Sequence, residues 1–189
     1  MSGVKHFFRS GILTVVARSH PRVQIEATVA RNAGLIGLVS SGRVDLGLAW
    51  DVGSSTAHSQ LVRELPMRWI GRADSTSSPP NDPLSLAVPE PPCLMRSAAI
   101  KALDGASIPW RVAFTSSSLS GIWAAVSAGL GITVRTGVGL PKQLRVLDGF
   151  PELPRIGLIL HRADSRPDPL VTQLETILLE RLDNLLSAG

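Results

Sequence analysis

Apolar and polar positions along this chain follow two interleaved periods. Runs with period two, or with unbroken apolar character, predict strands at 23–28, 44–49, 61–71, 84–88, 111–115, 131–135, 143–147 and 156–161. Helical patterns stand between them at 3–19, 33–41, 93–104 and 119–128, and one more closes the chain. In the first helix Phe8, Ile12, Val15 and Val16 share a face. In the last, Leu170, Leu174, Ile177, Leu178, Leu182 and Leu185 recur at helical spacing and predict a core-facing stripe. That helix also carries its start signal, Asp168 as N-cap and Pro169 at its first position. Strand and helix alternate, so the pattern predicts an α/β fold with a parallel or mixed sheet. Pro79-Pro80 followed by Asn81-Asp82-Pro83 makes 73–83 a loop.

Residues 116–134 concentrate the most information. Ser116-Ser117-Ser118 lead into a short apolar helix, and Gly129-Leu130-Gly131 then turns the chain into the β-branched run Ile132-Thr133-Val134. Serine hydroxyls satisfy the orphan N–H groups of a helix start, and either Gly129 or Gly131 supplies the positive φ of a tight exit. A polar helix N-terminus at the end of an α/β strand is a place where small, often anionic ligands are held.

Charge and composition remove several function classes. The chain has 189 residues and a net charge of +4, from 19 Lys and Arg against 15 Asp and Glu. The basic residues are spread rather than clustered, so no stripe suited to a phosphate backbone exists. No apolar run approaches the roughly 20 residues that span a bilayer. Lys5 and Arg9 before residues 11–17 imitate a secretory leader, but Arg18 cuts that run short and an amphipathic helix is the better reading. A single cysteine, Cys93, forms no intramolecular disulfide, as in a reducing cytoplasm.

The chemistry-bearing residues form no catalytic motif. His6, His20, His58 and His161 have no i,i+4 pairing or cysteine partner, so they read as structural or surface histidines and no metal is expected. No serine lies in Gly-x-Ser-x-Gly, although a Ser–His–Asp set assembled in space stays open. Gly129-Leu130-Gly131 and Gly137-Val138-Gly139 lack the continuation of a phosphate loop and read as turns. Cys93, at a helix start, has three readings: a reactive thiol, a small buried apolar residue, or a ligand contact.

Four segments together resemble a known family. Residues 116–134 resemble the "VxAGLGI" element of the effector-binding domain of LysR-type transcriptional regulators. His20-Pro21-Arg22-Val23-Gln24-Ile25-Glu26 resembles its "HPxVxxE", and residues 35–49, LIGLVSSGRVDLGLA, resemble "LLxxLxxGxLDLAL". Residues 92–112, Leu140-Pro141 and Leu144-Arg145-Val146-Leu147 follow the family's second lobe. The chain departs at Arg135, in a region where the family often carries proline.

The resemblance implies a type 2 periplasmic-binding-protein-like fold with mixed sheets flanked by helices. Its first lobe would be 1–64 plus 156–189 and its second 68–153, with two crossovers at 61–70 and 153–160. It implies a small organic effector in the cleft between lobes, met by Asn32, Trp50 and Asp51 from one side and by Cys93, Ser116, Ser117 and Ser118 from the other. Asn32 stands where the family carries a Ser or Thr that caps the second helix and touches ligand. Trp50 and Asp51 are expected at the rim, and Trp69, Trp110 and Trp123 in the core.

No cofactor or catalysis is implied, and no membrane. The implied setting is cytoplasmic, as an antiparallel homodimer joining helix 3–19 and strand 23–28 to helix 119–128 and strand 131–135 of the partner. DNA would be reached only through a winged helix-turn-helix domain and linker helix that this chain lacks. The family also has a strand before the first helix, for which this sequence has no residues. The expectation is a fragment or the product of a truncated gene, marginally stable alone. Two rivals share the fold: a periplasmic-type solute-binding protein, which requires an exported precursor, and an enzyme, which requires an acid, base or nucleophile set.

Overall fold

The computed structural model describes residues 26, 28, 30, 32–53, 56–74 and 83–187. The helix expected at 3–19 and most of the strand at 23–28 and of the loop at 73–83 lie outside them. The described elements are α1 (Asn32–Ser40), β1 (Leu46–Trp50), β2 (His58–Arg72), β3 (Leu84–Pro89), α2 (Leu94–Gly105), β4 (Trp110–Ser116), α3 (Leu119–Ser127), β5 (Thr133–Thr136), β6 (Leu144–Val146), β7 (Arg155–Arg162) and α4 (Pro169–Ser187). This is the mixed α/β fold that the alternation predicts. The described elements fall where the periodicity puts them, with ends shifted by at most three residues.

The chain divides into two compact units. A continuous unit contains Pro66–Arg155, and a split unit joins the segment ending at Leu65 to the one starting at Ile156. β2 carries the chain from the split unit into the continuous one.

In the split unit β1 and β7 are antiparallel, with Leu46 opposite Arg162 and Trp50 opposite Leu158, and β7 lies between β1 and β2. α1 packs on β1 through Leu35 and Val39. Gly47 permits that approach, since a Cβ there would sit 2.8 Å from Val39 Cγ2. Gly42, at φ +68°, ends the turn after α1 and so serves the closing role its position predicts. In α4 the Asp168 carboxylate accepts from Leu170 N–H at 2.8 Å, as an N-cap does. Leu178 and Leu182 of the stripe are buried, but Leu170 is exposed because it lies in the first turn, beyond the core.

In the continuous unit β3 and β4 run parallel, from Leu84 opposite Trp110 to Pro89 opposite Ser116. Leu86 also bridges Ile132 in parallel, while β5 and β6 pair antiparallel with β2. α3 buries Leu119, Ile122, Trp123, Ala125 and Val126 against Ile70, Ala87 and Leu144. Trp69 is also buried; its indole N–H donates to Pro151 O at 2.8 Å and its ring lies 5.5 Å from that of Phe150. Trp110 departs from the core expectation. It is only half-buried and its N–H reaches Asp104 Oδ1 at 2.7 Å, because β4 is paired on one side by β3 and carries exposed positions along its length.

His161 is a buried histidine of the split unit, with Nδ1 3.2 Å from Thr56 Oγ1. Burial pulls its pKa below the ordinary value, and the Asp51 charge opposes this only in part. A depressed folded-state pKa gives stability that is complete above about pH 6.5, the unfolded value, and lost as pH falls towards the folded value. Urea midpoints should therefore drop as pH falls below about 6.5, and His161→Gln should flatten that part of the profile.

Candidate functional site

The carboxyl ends of the parallel strands of the continuous unit form one edge, and most predicted residues of that unit lie on it. β3 ends at Pro89 level with Ser116 at the end of β4. After β3 and after β4 the chain turns into a helix, so the N-termini of α2 and α3 stand at this end. That is the end of an open α/β sheet where ligands are bound.

The serines build the start of α3. Ser118 is its N-cap, with Oγ accepting from Gly121 N–H at 3.1 Å, and its own N–H donates to Ser116 Oγ at 3.1 Å. Ser120 Oγ lies 3.2 Å from Ser118 Oγ, and Ser117 is exposed. The cluster thus fixes the first turn and presents hydroxyls beside it. At the other end of the helix, Gly129 has the positive φ, +77°, whereas Gly131 serves close approach: a Cβ there would lie 2.5 Å from Ser85 O. The two glycines of one short turn therefore answer different constraints.

Cys93 is the N-cap of α2 but makes no side-chain capping bond. Its neighbour is Arg135, which is only 4% exposed. Arg135 Nη1 donates to Val134 O at 3.2 Å and approaches Met95 Sδ at 3.3 Å, and Nε has no hydrogen-bond partner among the described residues. Burial pulls the Arg135 pKa down, and the opposing influence is the Cys93 sulfur.

In the split unit Asn32 is the first residue of α1 rather than the residue before it. Its Nδ2 donates to Trp50 O at 2.7 Å, so the side chain ties the helix start to the end of β1 instead of serving only as a cap. Trp50 is buried, with 6% exposure, which corrects the expected rim position; its carbonyl is the group that meets Asn32. Asp51 is exposed, its N–H donating to Gly157 O at 2.8 Å and its Oδ1 accepting from Gly53 N–H at 2.8 Å. The structure therefore brings Asn32 to Trp50, Ser116 to Ser118 and Cys93 to Arg135. Arg135 was not among the predicted contacts. Its signal in the sequence is a charged residue inside the run Ile132-Thr133-Val134-Arg135-Thr136, and every residue of β5 is buried.

Among the described residues no group of His, Cys, Asp and Glu is arranged to hold a metal ion, and no helix is long and apolar enough to cross a membrane. The arrangement offers hydroxyls, helix N–H groups and a buried guanidinium, which are donors suited to a small polar or anionic ligand.

The family model "LysR substrate binding domain" matches residues 8–183. The HTH-type transcriptional regulator PecT of Dickeya dadantii is 35% identical over 166 residues, which cover 86% of this chain and 52% of PecT. This chain thus spans about half the length of that relative. Among solved structures, the CcmR regulatory domain of Synechocystis PCC6803 in complex with 2-PG matches with a TM-score of 0.70 at 16% identity, covering 97% of this chain and 95% of that one. The BenM effector binding domain with benzoate matches at 0.66 and 15% identity, covering 97% and 90%. At these identities the structural likeness shows the fold.

Proposed function

Because the chain belongs to the family of LysR substrate-binding domains, we propose that it is the effector-binding module of a LysR-type transcriptional regulator. It binds a small organic effector and changes the activity of the protein that carries it, with no catalytic step. Ser116, Ser117, Ser118 and Cys93 of the continuous unit contribute to holding that effector. The observation that carries this reading is the Ser118-capped start of α3 at the carboxyl end of β4, with hydroxyls to spare beside it. PecT, an HTH-type regulator, supports a cytoplasmic setting and DNA contact through a helix-turn-helix domain. A homodimer completes the proposal, because two-fold symmetry brings the same surfaces together twice. Light scattering should give twice the chain mass at high micromolar concentration, and a monomer there counts against the dimer.

The binding reading is tested by Ser117→Ala/Ser118→Ala. Losing the N-cap costs about 1 kcal/mol, a fall of about 2–4 °C in Tm, so the variant folds. Small organic acids and alcohols that raise the Tm of the parent chain should leave that of the variant unchanged. Equal affinity for both proteins by calorimetry would remove the serine cluster from the site.

A further inference from the structure

β5 carries two buried polar side chains on one face. Thr133 and Arg135 are 1% and 4% exposed, and residues two apart on a strand project to the same side. Thr133 Oγ1 and Arg135 Nε lack a hydrogen-bond partner among the described residues, while Arg135 Nη1 meets Val134 O and Met95 Sδ. α2 packs on β5, with Met95 Sδ 3.3 Å from Arg135 Nη1, and Cys93 leaves the first turn of this twelve-residue helix without a side-chain cap. Three kinds of donor therefore converge: a hydroxyl, a guanidinium edge and helix N–H groups. A buried guanidinium is retained at low cost only when an anion and hydrogen bonds compensate it. Its fork matches a carboxylate in a two-point bond.

We propose that Thr133 and Arg135, beside the start of α2, form a carboxylate-binding subsite. It rests on the effector-binding reading above and deepens it by naming the ligand class: the effector is an organic acid whose carboxylate seats on Arg135. Nη1 is already committed to Val134 O, so the carboxylate engages the Nε side, with the Thr133 hydroxyl donating to its second oxygen.

The test compares acids with their uncharged isosteres. Acetate, benzoate and succinate are titrated against acetamide, benzamide and succinamide on the 189-residue chain at constant ionic strength, reading Tm. At ten times its Kd an acid should raise Tm by about 3–6 °C while its amide does not. Arg135→Gln should abolish this difference. Thr133→Val, nearly isosteric and so retaining the fold, should weaken the best acid several-fold and provides a reading even where Arg135→Gln fails to fold. Two outcomes overturn the subsite: no acid exceeding its amide, or Thr133→Val and a folded Arg135→Gln both binding like the parent. Ser117→Ala/Ser118→Ala measured alongside separates the two claims. If that variant alone loses binding, and acids match amides, the effector reading stands and the carboxylate subsite falls. If it binds acids like the parent while Arg135→Gln does not, the serine assignment falls and the subsite stands.

Discussion

Replacing Gly131 by alanine should destabilise the continuous unit by about 3 kcal/mol and lower Tm by about 6–12 °C. The reason is backbone against backbone. A Cβ at Gly131 would lie 2.5 Å from Ser85 O, 2.7 Å from Ser85 C and 3.1 Å from Ala87 N, and none of these can swing aside as a side-chain tip does. The same place is pinned by Ile132 N–H donating to Ser85 O at 2.9 Å and Ala87 N–H donating to Ile132 O at 2.9 Å, so relief of the clash breaks strand pairing. Gly137→Ala, six residues on, meets nothing within 4 Å and should leave Tm within about 2 °C. Thermal unfolding of the two variants side by side checks the argument, and equal losses would refute it.

Leu182→Ala and Leu170→Ala make the same chemical change on one helix and should differ several-fold. Leu182 is fully buried, so its truncation removes apolar contact and leaves a cavity, costing about 2–5 kcal/mol. Leu170, 49% exposed, should cost no more than about 0.5 kcal/mol. Urea denaturation gives both values. Comparable losses would mean that the first turn of α4 is buried in solution.

That contrast shows where sequence periodicity stops being informative. The heptad-like spacing of α4 identifies a face, and the Asp168–Pro169 signal identifies its start. How far the neighbouring strands reach along the helix is a tertiary fact that no local pattern carries. The elements of the continuous unit were legible because capping, turn and strand signals follow one another without a gap from Ser116 to Thr136. The roles of Gly129 and Gly131 were not separable, because positive φ and close backbone approach select the same residue type.

The serine cluster was legible for a local reason: Ser118 meets Gly121, three residues away. Asn32 was legible as a polar helix start but not as a partner of Trp50, eighteen residues distant. Trp50 was misplaced because an aromatic at a strand end looks the same in sequence whether or not later elements cover it. Arg135 was seen only as a departure from the family pattern. Its significance depends on burial by β2 and α2, far from it in the chain.

The central claim, a small-molecule effector held by the serine cluster, has one direct test. The chain is incubated with the small-molecule fraction of a cell extract, desalted and examined by native mass spectrometry beside Ser117→Ala/Ser118→Ala. The account predicts an adduct of one small organic molecule per chain that is released on denaturation and is missing from the variant. No adduct on the parent chain, or one retained equally by the variant, would contradict it.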